Sequence, residues 1–188
     1  MHRETSKQWT KIKWVKYSGS VGVIIFFVIV YMASLCAPTF SIWENAYSDL
    51  GTQLSGCPYI FNFALMFLIF PLMGIFSLYL IEKAIDKTQT VGASFILQAS
   101  IFIALIGLFP KGTKPHDFIA LWFFISYFIG ILIWSLSEKT PYKTIGIVLF
   151  LLFLLGFIIP FPSVAVAETY ALILIFTFTL SVVFKDDI

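Results

Sequence analysis

The chain alternates long apolar runs with short polar breaks, and six of the runs are about as long as a bilayer is thick. They cover residues 19–37, 58–81, 91–109, 116–136, 143–160 and 165–184, each closed by a charged or Pro- or Gly-containing break. At 1.5 Å per residue, roughly 20 helical residues cross the ~30 Å of hydrocarbon. An unpaired backbone group there costs several kcal/mol, so a spanning segment is a helix or part of a closed barrel. Runs this long without strict alternation exclude barrel strands. The pattern predicts an all-α polytopic integral membrane protein, a bundle of about six transmembrane helices in a single membrane domain over residues 1–188. Pro71 lies inside the second run and predicts a kink. Pro160 and Pro162 leave a very short turn between the last two runs, so a five-span chain with that turn buried is the rival count.

Composition removes the remaining soluble alternatives. With 60% apolar and 12% charged residues, the chain has too little polar surface for a soluble domain of any size. No basic patch reads as nucleic-acid binding. Lys11, Lys13 and Lys16 before the first run resemble the start of a secretory signal, but the run is too long and lacks a small-residue cleavage site. It is read as a retained first span.

Charge then sets an expected threading. Arg3, Lys7, Lys11, Lys13, Lys16, Lys83, Lys87, Lys139, Lys143 and Lys185 fall on one side of a six-span chain, and Lys111 and Lys114 on the other. The positive-inside rule therefore predicts a cell-membrane protein with both termini cytoplasmic. With this threading Glu44, Asp49, His116, Asp117 and Glu168 all reach the outer leaflet or its loops. Glu82, Asp86 and Glu138 sit beside lysines and read as solvated loop charges. Cys36 and Cys57 flank the first outer loop, where they either form a disulfide or serve as small apolar residues at helix ends.

The polar residues at that end carry the candidate chemistry. The segment Trp43 to Thr52 suggests a short helix lying at the interface and ended by Gly51; its Ser48 and Asp49 either roof a site or, for Asp49, cap a turn. Asp117 suits the first turn of a helix that Thr113 would cap. The helix dipole gives no such support to a protonated His116, so a neutral imidazole is expected there, placed for proton transfer, metal ligation or an interfacial hydrogen bond. Glu168, about a turn inside the sixth run counted from Ser163 as cap, either faces a partner or watered cavity or snorkels toward Lys111 or Lys114. Asp49, His116 and Glu168 together would supply either acid–base groups or a mixed N/O ligand set for a divalent metal; no cofactor is identified. No H-E-x-x-H, C-x-x-C, Walker or G-x-S-x-G pattern accompanies them, and no deep His pair would hold haem. Ser94, Gln98, Ser100, Ser126 and Gly130 read as helix-packing positions.

Tyr47-Ser48-Asp49-Leu50-Gly51-Thr52, Phe61-Asn62, Phe109-Pro110 with His116 and Ala120, and Ala167-Glu168 follow one another in an order that resembles a small prokaryotic six-span membrane family, the domain of unknown function nine-nine-eight. It is similar in turn to the eukaryotic Frag, DRAM and Sfk group. The resemblance covers nearly the whole chain, implies six helices and assigns no reaction; the eukaryotic group's association with lipid-anchor maturation hints at lipid. It carries over Ser48, Asp49, His116 and Glu168. The short loops of this chain put in doubt any substrate recognition that longer loops perform in relatives.

Two functions follow as expectations, with enzyme activity left open. One is lipid or glycolipid handling near the outer leaflet, with His116 as acid–base group and Asp49 and Glu168 as orienting or metal-binding carboxylates. The other is a non-catalytic accessory subunit of a larger membrane complex. Its partners would be other membrane subunits, where the first reading has membrane lipids alone. Proton-coupled transport would need ionisable groups in spans one, two and five, which offer almost none.

Overall fold

A computed structural model describes residues 14–53 and 55–185. Arg3, Lys7, Lys11 and Lys13, which weigh in the expected threading, lie outside them. Six helices account for the apolar runs: α1 (Val15–Ser34), α2 (Pro58–Lys83), α3 (Lys87–Leu108), α4 (His116–Leu136), α5 (Tyr142–Gly156) and α6 (Val164–Lys185). Five are long and apolar enough to cross a membrane, and α5 is shorter at 15 residues. Two contacts nevertheless place the two ends of the segment that holds α5 at opposite ends of the bundle. Lys185 at the end of α6 pairs with Glu138 just past α4, and the Ala165 N–H at the start of α6 donates to the Asn45 carbonyl at 2.9 Å. The segment between Glu138 and Ala165 must therefore travel from one end of the bundle to the other. The chain is thus an all-α bundle of six helices, five of them candidate spans, and a multi-pass membrane protein.

Each helix packs on its neighbour in sequence and α6 returns to α1, closing a ring. Close approach is set by small residues. A Cβ built on Gly92 of α3 would lie 2.4 Å from the Trp134 nitrogen and 2.9 Å from the Gly130 carbonyl oxygen of α4, so these two backbones touch where neither helix carries a side chain. Gly146 of α5 likewise sits against the Ser135 side chain. Ser20 donates to the Thr179 hydroxyl at 2.9 Å, a buried bond tying α1 to α6. Large apolar side chains such as Tyr31, Phe63, Phe67, Phe118 and Phe184 point outward, as expected of helices solvated by lipid. Of the predicted packing positions, Ser100, Ser126 and Gly130 are buried, whereas Ser94 and Gln98 are exposed.

Pro71 acts differently from a simple kink. Lacking an N–H, it cannot bond the Phe67 carbonyl, and the helix widens just before it into a π turn over Leu65–Ile69, closed by the Phe70 N–H on the Leu65 carbonyl. The ends of the bundle are pinned too. Cys36 and Cys57 form a disulfide with Cα atoms 5.6 Å apart across 21 residues, and loop closure of that length is worth about 3 kcal/mol in the chain-entropy picture. The bridge marks the disulfide end of the bundle.

At the opposite end the reading of Glu138 as a solvated loop charge is corrected. Its side chain is only 6% exposed, and its Oε1 accepts from Lys185 Nζ at 2.5 Å and from Gln89 Nε2 at 2.8 Å, clamping the ends of α3, α4 and α6. The cause lies in tertiary packing, which brings in a lysine 47 residues away that neighbour-in-sequence reasoning does not see. Glu138→Ala is expected to lower stability in detergent by about 1–3 kcal/mol, because it strands buried donors, with Lys185 part-exposed and partly compensated by water. A melting temperature equal to that of the unsubstituted chain would show that the clamp carries nothing.

Candidate functional site

The segment after α1 is not an interfacial helix. Trp43 is exposed, but Tyr47 and Leu50 are buried, and residues Tyr47–Gly51 form a 3₁₀ turn plugged into the disulfide end of the ring. Asp49 organises the turn. Its Oδ2 accepts the Ala46 N–H at 2.8 Å, and its Oδ1 pairs with Lys111 Nζ at 2.6 Å, joining the α1–α2 loop to the α3–α4 loop. Asn62 of α2 donates to the Gly51 carbonyl at 2.8 Å from below. A Cβ at Gly51 would lie 3.1 Å from Asn62 Cγ and 3.2 Å from the Phe61 ring, so a side chain at that position would have to push Asn62 off the turn.

Tyr47 couples the plug to α6. Its N–H donates to Glu168 Oε2 at 2.9 Å. Its hydroxyl lies 2.7 Å from Thr169 Oγ1, and since Thr169 already gives its one proton to the Ala165 carbonyl, Tyr47 is the donor. Burial pushes the Tyr47 phenol above its ordinary pKa, which keeps that donor protonated, and the nearby Glu168 charge pushes the same way against the Thr169 bond. The start of α6 is held by Ser163, whose Oγ accepts the Val166 N–H at 3.1 Å and donates to Ile42, as its expected capping role requires.

His116 opens α4 and is buried. The expected Thr113 cap is absent: Thr113 Oγ1 donates to Pro110, and the residue before the helix is Pro115. Instead the ring is fixed by its own Nδ1, 2.8 Å from the Phe109 carbonyl oxygen. A carbonyl can only accept, so Nδ1 carries a proton, which in the neutral form of the ring leaves the lone pair on Nε2.

Two cavities meet at this point. A chamber of about 60 Å³ lies inside the ring, walled by apolar side chains including Phe26, Phe61 and Phe123, and by Leu65 and Ile69 of the π turn. A larger cavity of about 430 Å³ lies between the ends of α4, α5 and α6. Ser48, His116, Ala120, Phe124 and Glu168 line both and form the shared wall. Three polar atoms on that wall have no hydrogen-bond partner among the described residues: Ser48 Oγ, His116 Nε2 and Glu168 Oε1. Tyr127 Oη is the sole fully buried side-chain N or O atom without a partner among the described residues, so these three reach open space. The arrangement offers two lone-pair acceptors and a hydroxyl at the mouth of an apolar recess.

The predicted site residues thus separate. Ser48, His116 and Glu168 share one wall, whereas the Asp49 carboxylate is engaged by Ala46 and Lys111 and borders a different, shallow cleft with Pro58 and Asn62. Glu44 and Asp117 are exposed at the same end, and Asp117 edges the larger cavity. No three His, Cys, Asp or Glu side chains converge as a metal-ion site among the described residues. Tyr47 and Phe109 are the functional neighbours that sequence reasoning missed, since each acts through a backbone group.

A family described as Protein of unknown function (DUF998) matches residues 20–185. No curated protein and no solved structure matches the chain.

Proposed function

Because this chain belongs to the DUF998 family of proteins of unknown function, we propose its role from the site itself: it handles a membrane lipid or glycolipid whose polar group rests on Ser48, His116 and Glu168. The observation that carries the reading is the pairing of unpartnered polar atoms with apolar walls on the same two cavities. An amphipathic molecule satisfies both, and a purely water-soluble one satisfies only the polar wall. His116 Nε2 is the proton acceptor, held in that role by the Phe109 carbonyl on its other nitrogen. Glu168 has one oxygen fixed by the Tyr47 N–H and one left for the ligand. Asp49 and Lys111 are positioning residues that hold the plug over the site. With both termini cytoplasmic the site faces the outer leaflet.

Native mass spectrometry of the chain released from mild detergent tests the binding. The unsubstituted chain is expected to retain lipid near one per chain, and Glu168→Gln to weaken retention about tenfold, the equivalent of one hydrogen bond to a charged group. Equal retention by both, with a larger membrane subunit firmly attached, would instead make the cluster a lock between helix ends.

A further inference from the structure

The larger cavity has an exposed apolar rim beside the short α5. Helix α5 begins level with the Glu138 clamp and stops at Gly156, so its 15 residues rise about 22 Å against ~30 Å of hydrocarbon. The shortfall lies at the disulfide end, where α4 and α6 continue alone and the turn from 157 to 163 fills the remainder. The cavity sits in that shortfall. Its rim is apolar and exposed: Leu121 on α4 is 46% accessible, Phe157 after α5 is 64% and Val164 on α6 is 59%. Leu121 is five residues into α4, roughly 7 Å below the helix start and beside exposed Phe118 and Trp122.

The polar floor has a definite chemical preference. In its carboxylate form Glu168 Oε1 only accepts, and in the neutral ring with the proton on Nδ1 His116 Nε2 only accepts. The lysine bordering this cavity, Lys111, has Asp49 as its counter-ion. A phosphate would meet a carboxylate and a lone pair, with the Ser48 hydroxyl as its donor and Lys111 already neutralised by Asp49, whereas a hydroxyl would donate to either acceptor. Resting on the lipid reading above, we propose that the site is entered sideways from the bilayer through the gap beside the short α5, and that it selects a neutral lipid with a free headgroup hydroxyl, of the diacylglycerol or glycosyl-lipid class.

The test uses the full chain in phosphatidylcholine vesicles with photoreactive, clickable diacylglycerol, compared with the same probe as its 3-O-methyl ether and with a photoreactive phosphatidic acid. Diacylglycerol is expected to label peptides bearing Leu121, Phe157 and Ala167 at least fivefold above either comparison probe. Leu121→Trp, a lipid-facing change that narrows the rim, is expected to cut this labelling severalfold, and Leu121→Ala to equal or exceed the unsubstituted chain. Equal labelling by the ether or by phosphatidic acid overturns the hydroxyl preference. Labelling untouched by Leu121→Trp but strongly reduced by Glu168→Gln overturns the sideways route and leaves the lipid site standing. Uniform surface labelling by every probe, unchanged by Glu168→Gln, removes the lipid reading itself.

Discussion

With His116 Nε2 as the proposed proton acceptor, replacing His116 by Gln is expected to lower any chemical conversion of the proposed lipid at least about 100-fold, the lower bound of what a positioned proton acceptor contributes. Glutamine can still donate an N–H toward the Phe109 carbonyl, which His116 Nδ1 meets at 2.8 Å, so the entry to α4 keeps its anchor. It has no basic nitrogen to replace Nε2. Lipid retention should therefore change by less than about threefold while product formation disappears, a split that a structural histidine would not produce. Mass spectrometry of lipid extracts from reconstituted vesicles reads both quantities. Product formed equally by the two chains would strip His116 of its role, and no product from the unsubstituted chain would reduce the site to a binding site.

The second large effect concerns the helix pair that carries His116. Gly92→Leu is expected to destabilise the fold by about 3 kcal/mol or more, because even a Cβ there would lie 2.4 Å from the Trp134 nitrogen and 2.8 Å from its Cα, backbone atoms that cannot rotate away. Gly74→Ala is the control. Its Cβ meets nothing nearer than Ser100 Oγ at 3.7 Å, and helix propensity favours alanine over glycine by up to about 1 kcal/mol. Thermal unfolding in detergent should move in opposite directions for the two variants. A Gly92→Leu chain that melts with the unsubstituted one would mean that α3 and α4 are not in backbone contact.

Much of this architecture was legible because lipid imposes a simple rule on length and polarity. The six runs emerge as six helices, and the shared end of Glu44, Asp49, His116, Asp117 and Glu168 follows from counting crossings. What escaped depends on long-range pairing or on backbone groups. Asp49 looks equally suited to a site or a turn until the loop bearing Lys111 is seen to fold over it. Glu168 appears to need a side-chain partner, yet one of its oxygens is satisfied by a main-chain N–H 121 residues away. Tyr47 reads as an interfacial aromatic, but Thr169 gives its hydroxyl a buried partner and so allows the ring to enter the core. The π turn before Pro71 was signalled only as a kink, since a missing N–H says where a helix is disturbed and not how it relaxes.

The proposed site turns on one open nitrogen, His116 Nε2, and the chain is convenient for observing it. Its two histidines are His2 and His116, so ¹⁵N-histidine labelling in nanodiscs gives few signals, and His116→Gln identifies the relevant pair. The expected spectrum shows His116 with its proton on Nδ1 and a bare Nε2 whose resonance shifts when diacylglycerol is added. A ring protonated on Nε2 alone, or an Nε2 signal indifferent to the lipid, would contradict it.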